Sequence, residues 1–360
     1  MKIFPGSFEK THTWYKLALP IAEACCSEGS PYSIFLKKGN SNNLIVYFSG
    51  GGASWNEHTA ARPNSWGAFF FGKPTYYFPK VVDFLEGLTR DGILKANDPG
   101  NPFNDWNILS LPYGTGDFHA GRNDYPYTDK KGGRRTLHHS GARNVAAALK
   151  ASQGFFPRPD QLLITGESAG AFGCIAQAEN VIRNYPDCKH ITVLSDSAQL
   201  AYPGWKAVVR DVWKADRELW ECIESNSLSQ DWFRLLHRKF GDRLTYLHAC
   251  SYHDAILTIY QKALNTGVME NTVDKDGLAQ FQAGLAEAQR ALLREIPEFR
   301  CYISDWGENK KTGATTHCAL RTRLFHTKNS AGISLADWLD DAVNRGKRAN
   351  VGLDLLEKVR

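Results

Sequence analysis

A serine set between glycines, Gly166-Glu167-Ser168-Ala169-Gly170, is the strongest chemical signal in the chain. A serine hydroxyl is a weak nucleophile at its ordinary pKa. Acyl chemistry therefore needs a base to take its proton and donors to hold the oxyanion that forms. The neighbourhood of the pentapeptide suits that chemistry. Gln161–Thr165 reads as a short buried strand, and Ala169–Arg183 reads as a helix that stops before Pro186. A strand, a sharp turn and a helix lift the serine onto a nucleophile elbow, and the flanking glycines let other backbone pack close to it.

A second donor loop should follow an earlier strand. Asn43–Phe48 is such a strand and runs into Ser49-Gly50-Gly51-Gly52-Ala53, where three glycines let backbone N–H groups turn inward. The loop does not read as a phosphate site, because it has no G-x-G-x-x-G, no Walker lysine and no helix signature after it. An acid and then a histidine should come later in the chain. Asp254 follows one predicted strand and Asp305 follows the next; His317 lies beyond that later strand, with His326 a more distant alternative. Acid and base on loops after successive strands converge from different directions, which favours Asp254 with His317. Asp305 would share the histidine's loop. Asp196, at the end of the strand after the elbow, reads as shaping the pocket or anchoring a loop. His253 and the pair His138-His139 lack a carboxylate or cysteine at helical spacing, so no metal site is expected.

The elements needed to position these groups are visible as apolar runs. Asn43–Phe48, Trp106–Leu111, Gln161–Thr165, His190–Ser195, Arg243–Ser251 and Glu298–Ser304 have the look of strands buried on both faces. Helices are predicted over Ser140–Gln153, Ala169–Arg183 and Gly277–Arg294. The alternation predicts an α/β, α/β-hydrolase-like fold: a mostly parallel central sheet flanked by helices, in a single domain over residues 1–360. Residues 55–104 and 198–240 are expected to be cap-like insertions near the carboxyl edge of the sheet, where ligands bind in open α/β folds. Trp55, Trp66, Phe69, Phe70, Phe71, Tyr76 and Tyr77 could supply an apolar wall for an acyl or sugar group.

Composition narrows the function classes. The 360 residues are 42% hydrophobic and 22% charged, an ordinary globular balance. No run approaches the roughly 18 apolar residues of a membrane-spanning helix, so no membrane role is expected. The net charge of +5 is spread along the chain, which gives no footprint for nucleic acid. The apolar run Leu17–Ala22 is broken by Pro20 and fits a secretory leader poorly. Eight cysteines without a CxxC pair read as mostly buried thiols in a reducing compartment, so a cytoplasmic location is expected.

The motifs in order also carry a resemblance. Phe48-Ser49-Gly50-Gly51-Gly52-Ala53-Ser54-Trp55, the stretch from Leu111 to Gly121, Gly166-Glu167-Ser168-Ala169-Gly170, Leu194-Ser195-Asp196-Ser197, Cys250 to Ile256, Thr316-His317-Cys318 and Ala336-Asp337-Trp338-Leu339 resemble the pectin acetylesterase and Notum family of serine esterases. The resemblance implies Ser168 as nucleophile, Asp254 as acid and His317 as base. It also implies an oxyanion hole from the N–H groups of Gly52, Ala53 and Ala169. The activity implied is hydrolysis of a short acyl ester on a carbohydrate or other small molecule, or of a fatty acyl group on a protein, without metal or organic cofactor. Trp55, Tyr113 and Asp196 are expected around the substrate. Cysteines usual in the family are replaced here by Ser54 and Gly114, which agrees with the reducing compartment expected above. A thioesterase, amidase or acyltransferase would use the same triad, and a catalytically silent ligand-binding relative would keep the same fold.

Overall fold

Runs of apolar residues with one polar neighbour or none can be satisfied only in the middle of a sheet covered on both faces, and that is where they lie. A computed structural model describes residues 1–65, 73–81 and 90–357. The strands are β1 (Lys2–Ile3), β2 (Trp14–Ala18), β3 (Ser33–Lys37), β4 (Leu44–Phe48), β5 (Asn107–Leu111), β6 (Asn123–Thr128), β7 (Arg134–His139), β8 (Gln161–Glu167), β9 (His190–Asp196), β10 (Leu244–Ser251) and β11 (Phe299–Ser304). Nine of them form one sheet in the order β1-β2-β3-β5-β4-β8-β9-β10-β11. Pairing is parallel from β5 across to β11, while β3 runs antiparallel to both β2 and β5. β6 and β7 make a separate antiparallel hairpin.

All six strands read from the sequence are present, with ends shifted by two residues at most. Three strands of the nine-stranded sheet, β1, β2 and β3, escaped that reading: β1 has only two residues, Lys16 interrupts β2, and β3 is five residues closed by a lysine. Lys37 ends β3 fully buried, with its Nζ donating to Asn104 O at 2.7 Å; burial, opposed by Asp105, lowers its pKa to about 8.

The main helices are α1 (Gly141–Ser152), α2 (Ala169–Asn184), α3 (Leu228–Phe240), α4 (Ala255–Thr266), α5 (Lys275–Glu295) and α6 (Leu335–Asn344). Alternation along the strands divides the core between the two faces. Leu44, Val46, Phe48, Leu162 and Ile164 pack with Val145 of α1, Phe172 of α2, Phe233 of α3 and Phe281 of α5. Ile45, Tyr47, Leu163, Leu194 and Leu247 pack on the other face with Leu335, Trp338 and Leu339 of α6.

The expected cap is only partly realised. Residues 198–240 turn their aromatics into the core: Trp205 and Trp213 are buried against Phe118, which stacks on Phe172 at 4.3 Å, and α3 packs along α2. No residue of that segment lines the cavity beside Ser168. Tyr76 and Tyr77, from the 55–104 stretch, do line it. Trp66, Phe69, Phe70 and Phe71 lie outside the described residues.

After β4 the chain adds β5 on one side and, later, β8 on the other. The carboxyl ends of β4 and β8 therefore bound the crevice where the strand order reverses. Close backbone packing holds this crevice together. A Cβ on Gly170 would sit 2.0 Å from Phe48 O, and one on Gly166 would sit 2.4 Å from Gly170 O. Gly170→Ala is expected to lower unfolding free energy by about 3 kcal/mol, read as a reduced denaturant midpoint.

Candidate active site

Ser168 sits between the last residue of β8 and the first of α2, with φ +53° and ψ −125°. A non-glycine residue in that region is strained, and the surroundings impose it: the Ser168 N–H donates to Asp196 O at 2.9 Å, while Gly50 of the neighbouring loop packs against its Cβ. The serine opens, with His317, onto a cavity of about 310 Å³. Its other lining residues include Gly50, Gly51, Gly52, Tyr76, Tyr77, Phe78, Ile256 and Tyr260.

Asp254 and His317 are brought together by loops that zip along each other. Thr315 N donates to His253 O at 2.9 Å, and Ala255 N donates to Thr315 O at 3.1 Å. Asp254 caps α4 through Oδ1, which accepts from Leu257 N at 2.9 Å, leaving Oδ2 2.7 Å from His317 Nδ1. The acid is fully buried and the histidine side chain is 16% exposed. His317 Nε2 is buried and has no hydrogen-bond partner among the described residues. A neutral imidazole that donates Nδ1–H to the carboxylate carries its lone pair on Nε2. Burial pulls the His317 pKa down, but the charge and hydrogen bond of Asp254, helped by Asp196 and Glu167, outweigh it and raise the pKa above the ordinary 6.5.

The alternatives lie elsewhere. Asp305 accepts from Ser330 N at 3.2 Å. His326 is 3.9 Å from Asp98, and His253 is held by Gly313 O and Gln282. His138 pairs with Asp124 at 2.7 Å, and the buried His139 contacts Thr115 O. No group of three or more His, Cys, Asp or Glu among the described residues is placed to hold a metal ion.

The glycine loop after β4 needs one expectation corrected. Ala53 cannot serve as an oxyanion donor, because its N–H donates to Tyr76 O at 2.8 Å. The N–H groups of Gly51, Gly52 and Ala169 have no acceptor among the described residues, and Ala169 begins α2, where the helix dipole adds positive potential. Gly52 has φ +79°, and a Cβ there would stand 2.0 Å from Tyr76 O.

The expected pocket residues are also placed differently. Trp55 is buried behind the wall, edge-on to Tyr76 and Tyr260. Tyr113 lies beneath the glycine loop, where a Cβ on Gly51 would be 2.5 Å from its ring, and its hydroxyl accepts from Phe118 N. Asp196 does not line the cavity but takes the other role expected of it, anchoring a loop: Oδ2 accepts from Ala319 and Leu320 N–H, both at 2.8 Å, just past His317. In each case a bulky or charged side chain close to the serine in the fold is used to support the site rather than to line it.

Sequence reasoning passed over Glu167 and Arg321. Glu167 accepts from Gly50 N at 2.9 Å, from Arg321 Nη1 at 3.2 Å and from the Tyr47 hydroxyl. The available signal was a carboxylate at the variable position of the serine motif itself.

Comparisons with known proteins bear on the family and the fold. A pectinacetylesterase family profile matches residues 17–200, half of the chain. Among solved structures, the Wnt deacylase Notum from Drosophila superposes with a TM-score of 0.64 at 15% identity, covering 93% of this chain and 95% of that one; at that identity the likeness shows the fold. A search of curated proteins finds no match. No described helix is long and apolar enough to cross a membrane. All eight cysteines are free, seven of them buried. The expected cytoplasmic location is nonetheless overturned, since the matching family consists of secreted enzymes; free buried thiols reflect local packing and do not report the compartment. The profile match over half the length carries the conclusion that this chain belongs to the pectinacetylesterase family and is a carboxylic ester hydrolase.

Proposed function

We propose that the chain hydrolyses short-chain acyl esters of a carbohydrate or similar alcohol by a Ser168–His317–Asp254 triad, in one catalytic domain. The observation that carries this reading is the shared cavity: Ser168 and His317 line it together, and His317 is oriented from behind by Asp254 at 2.7 Å. His317 Nε2 takes the Ser168 proton as Oγ attacks the ester carbonyl, and the resulting imidazolium is stabilised by Asp254. The N–H groups of Gly51 or Gly52 and of Ala169 receive the oxyanion. His317 then returns the proton to the departing alkoxide, and later activates water to release the acid from the acyl-serine.

Size supports a small acyl group. A cavity of about 310 Å³ is at the lower end of ligand pockets, and its rim carries Phe78 and Ile256, 37% and 41% exposed. These apolar side chains offer a surface for the alcohol moiety. A panel of chromogenic esters from acetyl to long chain tests the reading. Turnover should be fastest at the short end; no turnover of any ester would refute it.

The acid limb of the reaction follows from the base. His317 must be neutral to accept the proton, and its pKa is raised. Activity is then present above that pKa and lost as pH falls through it. A profile of kcat/KM against pH is expected to show its acid limb above 6.5, the ordinary histidine value.

A further inference from the structure

We propose that Glu167 and Arg321 form a positioning pair that holds the glycine loop and the His317 loop in register with Ser168. The inference rests on the triad reading above. Glu167 immediately precedes Ser168, and its side chain is 8% exposed. Three donors converge on its two oxygens: Gly50 N–H and Arg321 Nη1 on Oε1, and the Tyr47 hydroxyl on Oε2. Burial pushes the Glu167 pKa up, and the Arg321 charge with the hydrogen bonds from Gly50, Tyr47 and Arg321 opposes it; a carboxylate that meets donors only is thereby helped to keep its charge. Each donor comes from a different part of the site. Gly50 begins the glycine loop, Tyr47 belongs to β4, and Arg321 lies four residues beyond His317, where it also donates to Ser49 Oγ at 3.2 Å. One carboxylate therefore joins the nucleophile's strand, the oxyanion loop and the loop of the base.

The pair also has an electrostatic consequence. A bare carboxylate beside Ser168 would oppose the negative oxyanion, and Arg321 offsets that charge locally. The groups facing His317 are Asp254 at its Nδ1, Asp196 beneath the following residues, Glu167 with its partner Arg321, and the neutral thiol of Cys318. Glu167 is one of the carboxylates that raise the His317 pKa, so removing its charge moves that pKa down.

Glu167→Gln preserves shape, an acceptor for Gly50 N–H and a contact to Tyr47, but removes the charge. The acid limb of kcat/KM should shift to lower pH, with kcat down about 10-fold and KM little changed, because the Glu167 oxygens are taken up by Gly50, Arg321 and Tyr47 although the residue borders the cavity. Glu167→Ala also frees the glycine loop, and its kcat should fall about 10²-fold, as for loss of one oxyanion donor. Because glutamine keeps the volume, a displaced pH limb in Glu167→Gln separates the charged positioning role from mere filling of space. If the alanine variant does not fold, the glutamine variant decides by its pH limb. An unchanged limb and unchanged kcat in Glu167→Gln would overturn the proposal. Ser168→Ala run alongside tells the two failures apart: a dead Ser168→Ala with an unaffected Glu167→Gln leaves the triad standing and removes the pair, whereas an active Ser168→Ala removes both.

Discussion

Ser168→Ala is expected to lower kcat by about 10⁶-fold while leaving the denaturant midpoint unchanged. The size follows from what remains in the cavity. Without Oγ no acyl-enzyme forms, and catalysis falls back on ester binding and the oxyanion donors, which leave a residual advantage over water of about 10³–10⁴. Among the described residues, the cysteine that lines the cavity is Cys318. Burial, reinforced by the carboxylates of Asp196, Glu167 and Asp254, pushes its pKa well up and keeps it a thiol, so it does not substitute for the serine. Stability is expected to hold because the strained backbone at Ser168 is fixed by its N–H bond to Asp196 O, which alanine keeps.

Asp254→Asn is expected to lower kcat by about 10⁴-fold, with the fold intact. The loss comes from the proton's position rather than from the loss of a contact. Oδ1 of Asp254 caps α4 by accepting from Leu257 N–H. An asparagine that keeps this cap presents its NH₂ to His317 Nδ1. Nδ1 must then accept, the ring proton moves to Nε2, and Nε2 can no longer take the Ser168 proton. Asp305→Ala, the control, removes a hydrogen bond to Ser330 on the surface and should leave kcat within about twofold. Measured kcat values for the two variants decide between these carboxylates directly.

The sequence made the frame of the site readable for physical reasons that differ from residue to residue. β4, β8, β9, β10 and β11 are continuously apolar because both faces are covered, so their ends, and hence the loops that carry Gly50, Ser168, Asp254 and His317, could be placed along the chain. β2 was opaque because Lys16 breaks its pattern and β3 because its apolar run is only Ile34–Leu36 before Lys37, whose burial depends on a carbonyl supplied by Asn104, 67 positions away. The same non-local logic hid the support of the site. Nothing near Asp196 in sequence shows that it binds the N–H groups of Ala319 and Leu320. Nothing near Arg321 shows that it meets Glu167. Aromatics misled for the opposite reason: Trp55 reads as part of a ligand wall and the segment holding Trp205 and Trp213 as a cap, yet large apolar area is worth more in the core, where it leaves water fully. Ala53 shows the limit of motif reasoning at the scale of single bonds. Its place in the glycine loop suggested a donor, and one carbonyl, Tyr76 O, occupies it.

Reaction with a fluorophosphonate ester followed by peptide mapping tests the triad most directly, because the reagent is captured only by a serine activated as described. A single phosphonyl adduct is expected on Ser168, absent from Ser168→Ala and formed far more slowly in Asp254→Asn. An unlabelled parent protein, or an adduct on a different residue with Ser168→Ala still turning over esters, would contradict the account.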